Sequence, residues 1–221
     1  MNKIIISIDG PAGSGKSTTA RLVAKKLRIS YLDTGSMYRA VTLYLINNNY
    51  TLDTVNVMEL MDDINLDISD SADEESIILN GVDVTPSLRS LEVSRLVSNI
   101  SSNNLVRKKM VEIQRNISSN KSIVVDGRDI GTVVFPNADH KFFITASIEE
   151  RAKRRFEQLN MENSHETIDS IMKEIESRDQ LDSTREISPL KKASDAILID
   201  TTDLEIDEQV NLILNKVNKR N

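Results

Sequence analysis

Eight residues near the N-terminus have the types and spacing needed to hold a nucleoside triphosphate. The run Gly10-Pro11-Ala12-Gly13-Ser14-Gly15-Lys16-Ser17 fits the phosphate-loop pattern G-x-x-x-x-G-K-S/T. In such a loop, backbone N–H groups surround phosphate oxygens, and the following helix adds its positive dipole end. Lys16 is expected to reach the β- and γ-phosphates, and the Ser17 hydroxyl to bind Mg²⁺. We predict an ATP site from Gly10 to Thr18, because a simple glycine turn would not need these residues at fixed positions.

A second chemical signal is a carboxylate at the end of an apolar strand. Asp126 directly follows Ile123-Val124-Val125. Beside a phosphate loop, a strand-end aspartate can hold Mg²⁺ directly or through water. The alternative is an aspartate that only caps a turn. The complete phosphate loop favours a metal role for Asp126 together with Ser17.

Arginines form the third signal, because guanidinium groups bind phosphate oxygens bidentately and stay charged. Arg39 and Arg128 lie beside glycine-containing segments and are the strongest candidates, since most single arginines are solvated surface residues. A triplet on one predicted helix is either a solvated face or part of a lid. Arg178 and Asp182, four residues apart, either pair with each other or hold a ribose and a phosphate. The eight candidates are Arg39, Arg107, Arg128, Arg151, Arg154, Arg155, Arg178 and Arg185.

Short apolar strands separated by helices must position these groups. Such an alternation predicts an α/β protein with a mainly parallel sheet covered by helices on both faces. Glycine-containing loops are expected at 33–39 and 126–132. The predicted strands are 3–8, 29–32, 123–126, 141–145 and 196–199.

Helices are predicted from apolar residues at helical spacing. Ser147 and Glu150 resemble a capping box at the start of one helix, and the polar run 160–166 after it is a candidate moving loop. Helical patterns cover 17–27, 37–45, 55–61, 88–100, 105–117, 147–155, 168–175 and 206–217.

A small antiparallel insert is predicted between the second strand and the third. Residues 63–69 alternate between apolar and polar side chains. Segments 76–79 and 82–84 flank Asn80-Gly81, a dipeptide typical of two-residue hairpins. A parallel sheet has no need of these three strands.

The composition limits the class of partner. The chain has 221 residues, a net charge of −6, two histidines and no cysteine. This charge argues against a nucleic-acid polymer as partner but not against a nucleotide in a local basic pocket. No apolar run is long enough for a membrane span, and Met1-Asn2-Lys3 leads straight into a core strand without room for a signal peptide. We therefore expect a cytoplasmic, monomeric protein.

Motif searches separate this chain from other phosphate-loop proteins. Small GTPases need N-K-x-D and D-x-x-G segments, and neither occurs. Transport and AAA-type ATPases are usually larger. Together, the runs 8–17, 32–39 and 126–136, the helix start 149–155 and the run 178–185 resemble the bacterial cytidylate kinases over essentially the whole chain. The run Asp-Gly-Arg-Asp-Ile-Gly-Thr-Val-Val-Phe-Pro at 126–136 is the most discriminating.

The resemblance implies a nucleoside-monophosphate kinase with a phosphate-loop NTPase fold. Its expected activity is transfer of the ATP γ-phosphoryl group to CMP or dCMP, with Mg²⁺. It implies a core at about 1–35, 119–150 and 178–221, a monophosphate-binding region with the insert at about 36–118, and a lid at about 151–177. Thr34 stands where the family often has serine, and the hydroxyl is kept.

The resemblance also assigns roles to individual residues. Lys16, Arg39, Arg128 and Arg185 are the expected catalytic groups. The expected acceptor-site residues are Thr34, Tyr38 and Arg39 along the site, Arg39, Arg128 and Arg185 at its phosphate, Ser98, Arg107 and Asp129 at cytosine, and Arg178 and Asp182 at the ribose. Arg151, Arg154 and Arg155 are expected in the ATP-side lid. The alternatives are a kinase for UMP, AMP or shikimate, or a protein that binds ATP without transferring phosphate.

Overall fold

The computed structural model describes residues 3–70, 75–160 and 166–218. A five-stranded sheet and a separate three-stranded sheet carry the fold. The strands are β1 Ile5–Asp9, β2 Ser30–Asp33, β3 Leu66–Asp70, β4 Glu75–Leu79, β5 Val82–Asp83, β6 Ile123–Gly127, β7 His140–Thr145 and β8 Ile197–Asp200. The helices are α1 Lys16–Leu27, α2 Thr34–Asn47, α3 Val57–Asp62, α4 Leu91–Ser102, α5 Asn104–Ile117, α6 Ile148–Asn160, α7 Ile168–Thr184 and α8 Ile206–Asn218.

The main sheet has the strand order β2-β6-β1-β7-β8, and its neighbouring strands are parallel. Asp126 of β6 is in register with Asp33 of β2, and Asp9 of β1 is in register with Gly127. Because parallel strands end at the same edge, three aspartates meet where the phosphate loop begins. The predicted α/β fold with a parallel sheet is confirmed.

Helices cover both faces of the main sheet. On one face Ile6, Ile8 and Phe142 pack with apolar residues of α1 and α8. On the other face Leu32 and Val125 pack with residues of α2, α5 and the insert. Side chains alternate across a strand, so continuous apolar strands are needed to bury both faces.

The insert is the predicted antiparallel hairpin with one further strand. β4 pairs with both β3 and β5. Asn80 and Gly81 have φ of 49° and 82°, the left-handed values that a two-residue type I′ turn requires. Residues 71–74 lie outside the described part of the chain. Ile68 and Ile77 pack into the same core cluster as the apolar residues of α2, so the insert supports that helix through this contact.

The expectation of a loop at 33–39 is wrong, because α2 begins at Thr34. Asp33 caps this helix, since its Oδ1 accepts a hydrogen bond from the Ser36 N–H at 3.0 Å. α4 also begins later than expected, at Leu91 after the Ser90 cap. A helical turn at 130–134, with Val134 and Phe135 N–H bonded five residues back, occupies the end of the second predicted loop and continues past it.

The capping box at Ser147 is only half formed. Ser147 Oγ accepts from the Glu150 N–H at 3.2 Å, as predicted. The Glu150 carboxylate instead accepts from Arg154 Nε at 2.8 Å, and the Ser147 N–H donates to Thr202 Oγ1. Arg154, one turn further along the helix, therefore binds the Glu150 carboxylate in place of the Ser147 N–H.

The helices α6 and α7 pack against each other through Ala152, Ile171 and Ile175. They contain most of the predicted lid and the run 178–184. Most of the candidate moving loop at 160–166 lies outside the described residues. In the parts of the chain that are described, no helix has the length and apolarity that crossing a bilayer requires.

Candidate active site

The phosphate loop follows β1 and ends at Gly15, the residue that caps α1. Gly15 has φ of 84°, a left-handed value that favours glycine. Gly10 is needed for a different reason, because a Cβ there would lie 2.0 Å from the Ile144 carbonyl oxygen. Strand, loop and helix are therefore arranged as the motif requires.

Lys16 is the cation at the centre of this loop. Its side chain is buried, and its Nζ donates a hydrogen bond to the Pro11 carbonyl at 3.3 Å. Burial, with Arg128 nearby, lowers the pKa of Lys16 to about 7, although Asp126 and Asp33 act in the opposite direction. Burial disfavours the charged form of this amine, and the negative charge of a polyphosphate bound in the loop would compensate it.

Asp126 collects hydroxyl donors at the end of β6. Its Oδ2 accepts from Ser17 Oγ at 2.7 Å, and its Oδ1 accepts from the Tyr31 hydroxyl at 2.7 Å. Thr34 Oγ1 donates to the Asp126 backbone carbonyl at 2.8 Å. Burial, and then the charge of Asp33, raise the pKa of Asp126 to about 6. Ser17 and Asp126 thus supply hydroxyl and carboxylate oxygens beside the phosphate loop.

Two of the lid arginines contact the phosphate-loop side. Arg151 Nη1 donates to the Ala12 carbonyl at 3.2 Å and forms an ion pair with Asp179 of α7. Arg154 Nη2 donates to the Thr201 carbonyl at 2.6 Å, and its Nη1 lies 3.6 Å from where a Cβ on Gly15 would be. Arg151 therefore joins α6, α7 and the loop.

A second group of cations lies between β6 and the end of α7. Asp182 is 4% exposed and binds Arg128 Nε at 2.9 Å as well as Arg185. Burial, followed by the nearby charges of Arg128 and Arg39, lowers the pKa of Arg178 to about 9. Arg178 makes no hydrogen bond or ion pair among the described residues. Because several arginines lie close together here, this part of the site is suited to binding an anion.

The third part of the site is a buried ion pair. Arg107 Nη2 lies 2.6 Å from Asp129 Oδ2, with side chains 3% and 7% exposed. The guanidinium carbon of Arg107 also lies 5.4 Å from the centre of the Tyr38 ring. Arg107 Nε is buried and has no hydrogen-bond partner among the residues that the structure describes. A planar polar ligand beside this pair would find both a carboxylate and an unused N–H donor.

The family comparison decides among phosphate-loop kinases of this size. The sequence profile of cytidylate kinase matches residues 6–219. This chain belongs to the cytidylate kinase family. It is 47% identical to the cytidylate kinase of Fusobacterium nucleatum, with 99% of each chain covered. It is 48% identical to that of Carboxydothermus hydrogenoformans, with 98% of each chain covered.

Solved structures with low identity support the fold alone. An uncharacterized protein from Eubacterium ventriosum has a TM-score of 0.56 at 13% identity, with 98% of this chain and 99% of that chain covered. Shikimate kinase from Bacteroides thetaiotaomicron has a TM-score of 0.52 at 11% identity, covering 97% and 98%. The phosphate-loop fold expected of a cytidylate kinase is confirmed.

In this member of the cytidylate kinase family, the structure brings together most of the residues predicted to bind the acceptor nucleotide. The ion pairs between them differ from the one that the sequence suggests. Asp182 binds Arg128 and Arg185 rather than Arg178 four residues away. Arg39 donates to Ser94 Oγ at 3.0 Å, and Arg128 lies close enough to lower its pKa, although burial of Arg39 is the larger cause. One buried aspartate, Asp182, thus pairs with two of the predicted acceptor-site arginines.

Two predicted residues stand somewhat apart from their expected partners. The Ser98 carbonyl accepts from Ser101 Oγ at 3.1 Å, and the Ser101 carbonyl accepts from Arg107 Nη1 at 2.9 Å. Ser98 is therefore linked to the Arg107 pair through the backbone of α4. Arg155 Nη1 donates to Gln158, and the charge of Arg155 contributes to the lowered pKa of Arg178. Arg155 thus lies towards the acceptor cations rather than beside Arg151 at the phosphate loop.

Sequence reasoning missed several residues that hold this site. Asp179 pairs with Arg151, and Thr201 Oγ1 donates to the Ser14 carbonyl at 3.1 Å. Asp9 binds two backbone N–H groups next to Asp129. Asp9 directly precedes Gly10, which is the only sequence signal that could have pointed to it.

Replacing Arg178 should make the ligand-free protein more stable and less responsive to anions. Arg178→Gln removes a buried cation crowded by Arg128 and Arg39. We expect its thermal midpoint to rise by about 2 °C. We also expect inorganic phosphate to raise the midpoint of wild type by binding the folded state, and to raise the midpoint of the variant less. Differential scanning fluorimetry with and without phosphate measures both effects. A lower midpoint with an undiminished phosphate response would contradict this account.

Proposed function

We propose that this chain transfers the γ-phosphoryl group of ATP to CMP or dCMP, giving ADP and CDP or dCDP. The observation that carries the proposal is the pair of charge sites facing each other. Lys16 and the phosphate loop form one, and the cations around Asp182 form the other. The charge of Arg128 contributes to the lowered pKa of Lys16, so the two sites are within electrostatic reach. Membership of the cytidylate kinase family supports this assignment.

ATP is the proposed donor, held by residues 10–18 and approached by Arg151 and Arg154. The oxygens of Ser17 and Asp126, 2.7 Å apart, match the oxygen ligands that Mg²⁺ prefers. We therefore assign these two residues to hold Mg²⁺ with the nucleotide, directly or through water. When bound, Mg²⁺ would supply charge compensation at the β- and γ-phosphates.

The reaction needs charge stabilisation and positioning more than a base. The acceptor is a phosphate oxygen that already carries negative charge, so no proton has to be removed by a histidine. Phosphoryl transfer spreads charge over the transferring group. Lys16 on one side and Arg39, Arg128 and Arg185 on the other would stabilise that charge. The helices α6 and α7 bring Arg151 to the loop and would exclude water from it.

Base selection is assigned to the buried pair of Arg107 and Asp129. The exocyclic amine of cytosine is a hydrogen-bond donor, and a carboxylate accepts from it. Uracil has a carbonyl at that position. This carbonyl and the Asp129 carboxylate are both acceptors, so no hydrogen bond could form between them. The unused Nε–H of Arg107 is available to a carbonyl of the base. Arg178 and Asp182 remain the proposed ribose contacts.

A panel of acceptors tests the function. ADP release would be measured with ATP, Mg²⁺ and one of CMP, dCMP, UMP, AMP or shikimate. We expect turnover with CMP and dCMP at least about 100-fold above the others, because the site is built to pair with one base edge. Preference for UMP, AMP or shikimate would overturn the assignment of the acceptor. ATP turnover that needs no acceptor, or binding without turnover, would overturn the kinase assignment.

We propose a division of the chain into three regions according to the site that each one contributes to. The monophosphate-binding region at about 36–118 contains the insert and α2 to α5, and the lid at about 151–177 contains α6 and most of α7. The rest forms the core. We propose a cytoplasmic monomer that acts on small molecules and needs no nucleic-acid polymer or membrane.

A further inference from the structure

Asp9 is a buried carboxylate to which neither substrate site assigns a role. It ends β1, directly before Gly10, and is 3% exposed. Its Oδ1 accepts from the Ile130 N–H at 2.8 Å, and its Oδ2 accepts from the Gly131 N–H at 2.8 Å. One side chain therefore joins the start of the phosphate loop to the segment directly after Asp129.

The segment that Asp9 holds is a short helical turn whose first N–H groups have no partner within it. The Asp129 carbonyl accepts from the N–H groups of Val133 and Val134 at 2.8 and 3.2 Å. At the other end of the turn, Arg115 donates to the carbonyls of Val134 and Val133 at 2.9 and 2.8 Å. The backbone of Asp129 is thus fixed by bonds at both ends of the turn.

The packing at Gly131 leaves little room for this turn to shift. A Cβ on Gly131 would lie 2.9 Å from Ser7 Oγ and 3.3 Å from Asp9 Oδ2. Burial raises the pKa of Asp9 to about 7, with a smaller contribution from the charge of Asp129, while the two N–H bonds and Arg128 act against it. The Asp9 carboxylate thus lies in an unfavourable buried environment, in which two backbone N–H groups are its hydrogen-bond donors.

We propose that Asp9 is a positioning residue that sets where Asp129 lies relative to the phosphate loop. This inference rests on the proposed function, because it assigns to Asp9 the placement of the base-reading carboxylate. The hydrogen bonds of Asp9 hold Asp129 through the backbone of the next two residues. Loosening those two bonds lets Asp129 move relative to the base while the phosphate loop keeps its own contacts.

The test is the acceptor preference of Asp9→Asn. Asparagine has the same shape, but its amide N–H₂ would face one of the two backbone N–H groups. We expect kcat/KM for CMP to fall about tenfold, the preference for CMP over UMP to fall about fivefold, and the KM for ATP to stay within about twofold. An unchanged CMP:UMP ratio, even with lower activity, would overturn the inference, because a purely structural role lowers both acceptors equally.

Two further variants and the wild type separate the possible results. Gly131→Ala displaces the same turn by adding a Cβ while Asp9 keeps its carboxylate, and it should lower the CMP:UMP ratio as well. Asp139→Asn, which removes an exposed aspartate bonded to the Ile5 N–H at the opposite end of β1, should leave the ratio unchanged. If both Asp9→Asn and Gly131→Ala lose cooperative thermal unfolding, the turn is only scaffold and the inference is overturned. Wild type without CMP activity would overturn the proposed function as well, whereas an unchanged ratio in active variants overturns the inference alone.

Discussion

Lys16→Met should lower kcat by about 1,000-fold while the protein still folds, because the charge that develops on the transferring phosphoryl group would lose a cation proposed to stabilise it. The Lys16 side chain is buried, and its Nζ donates a hydrogen bond to the Pro11 carbonyl. Methionine is similar in length and suits a buried site, so little packing should be lost. We expect kcat to fall more than the KM for ATP rises, since the rest of the loop still binds the nucleotide. Initial rates of ADP release at saturating CMP measure both constants.

The control for this prediction lies two turns further along the same helix. Lys25 is an exposed lysine in the last turn of α1, and Lys25→Met should change kcat by less than about twofold. Thermal unfolding of both variants should stay cooperative. A Lys16→Met enzyme that keeps kcat within tenfold of wild type would show that the phosphate loop is not the donor site.

The elements of the fold that could be predicted from sequence depend on local patterns. Strands β1 and β6 are buried on both faces and therefore appear in the sequence as largely apolar runs, and the Asn80-Gly81 turn has the φ values that its residue types favour. The start of α2 was mispredicted because Gly35 suggested a loop. The capping bond that the Ser36 N–H donates to the Asp33 carboxylate outweighs the unfavourable helix propensity of one glycine.

The contacts that organise the site could not be predicted, because they join residues far apart in sequence. Asp9 and Gly131 are 122 residues apart, and Arg151 and Ala12 are 139 apart. For Asp182 the local pattern suggested Arg178 on the same helix. The structure instead pairs it with Arg128, 54 residues away, because β6 and α7 converge there. Residue types indicated which groups do chemistry, but only the fold decides which of them are neighbours.

Asp129→Asn should lower kcat/KM for CMP about 100-fold while leaving the KM for ATP within about threefold. Asparagine keeps the shape of the side chain, but at the position proposed to face the cytosine amine it replaces an acceptor with a second donor whenever its oxygen accepts from Arg107. A site built to pair with one base edge loses most of its preference when that pairing is lost. Rates with CMP and UMP, each at several ATP concentrations, separate base recognition from donor binding.

A larger change at the same position adds a cost in stability. Asp129→Ala leaves the Arg107 charge in a site where its side chain is 3% exposed. Removing one partner of a buried ion pair costs roughly 3–5 kcal/mol, and replacing both with apolar residues is often nearly neutral. We therefore expect Asp129→Ala to lower the free energy of unfolding by about 3 kcal/mol. The double variant Arg107→Met with Asp129→Leu should recover most of it.

The double variant also separates recognition from folding. If stability returns but CMP activity does not, the loss belongs to the missing carboxylate and guanidinium rather than to a damaged fold. Urea unfolding and CMP kinetics on the same preparations give both quantities. Recovery of CMP activity along with stability would exclude the pair from base recognition, because an apolar site has no group to accept from the cytosine amine.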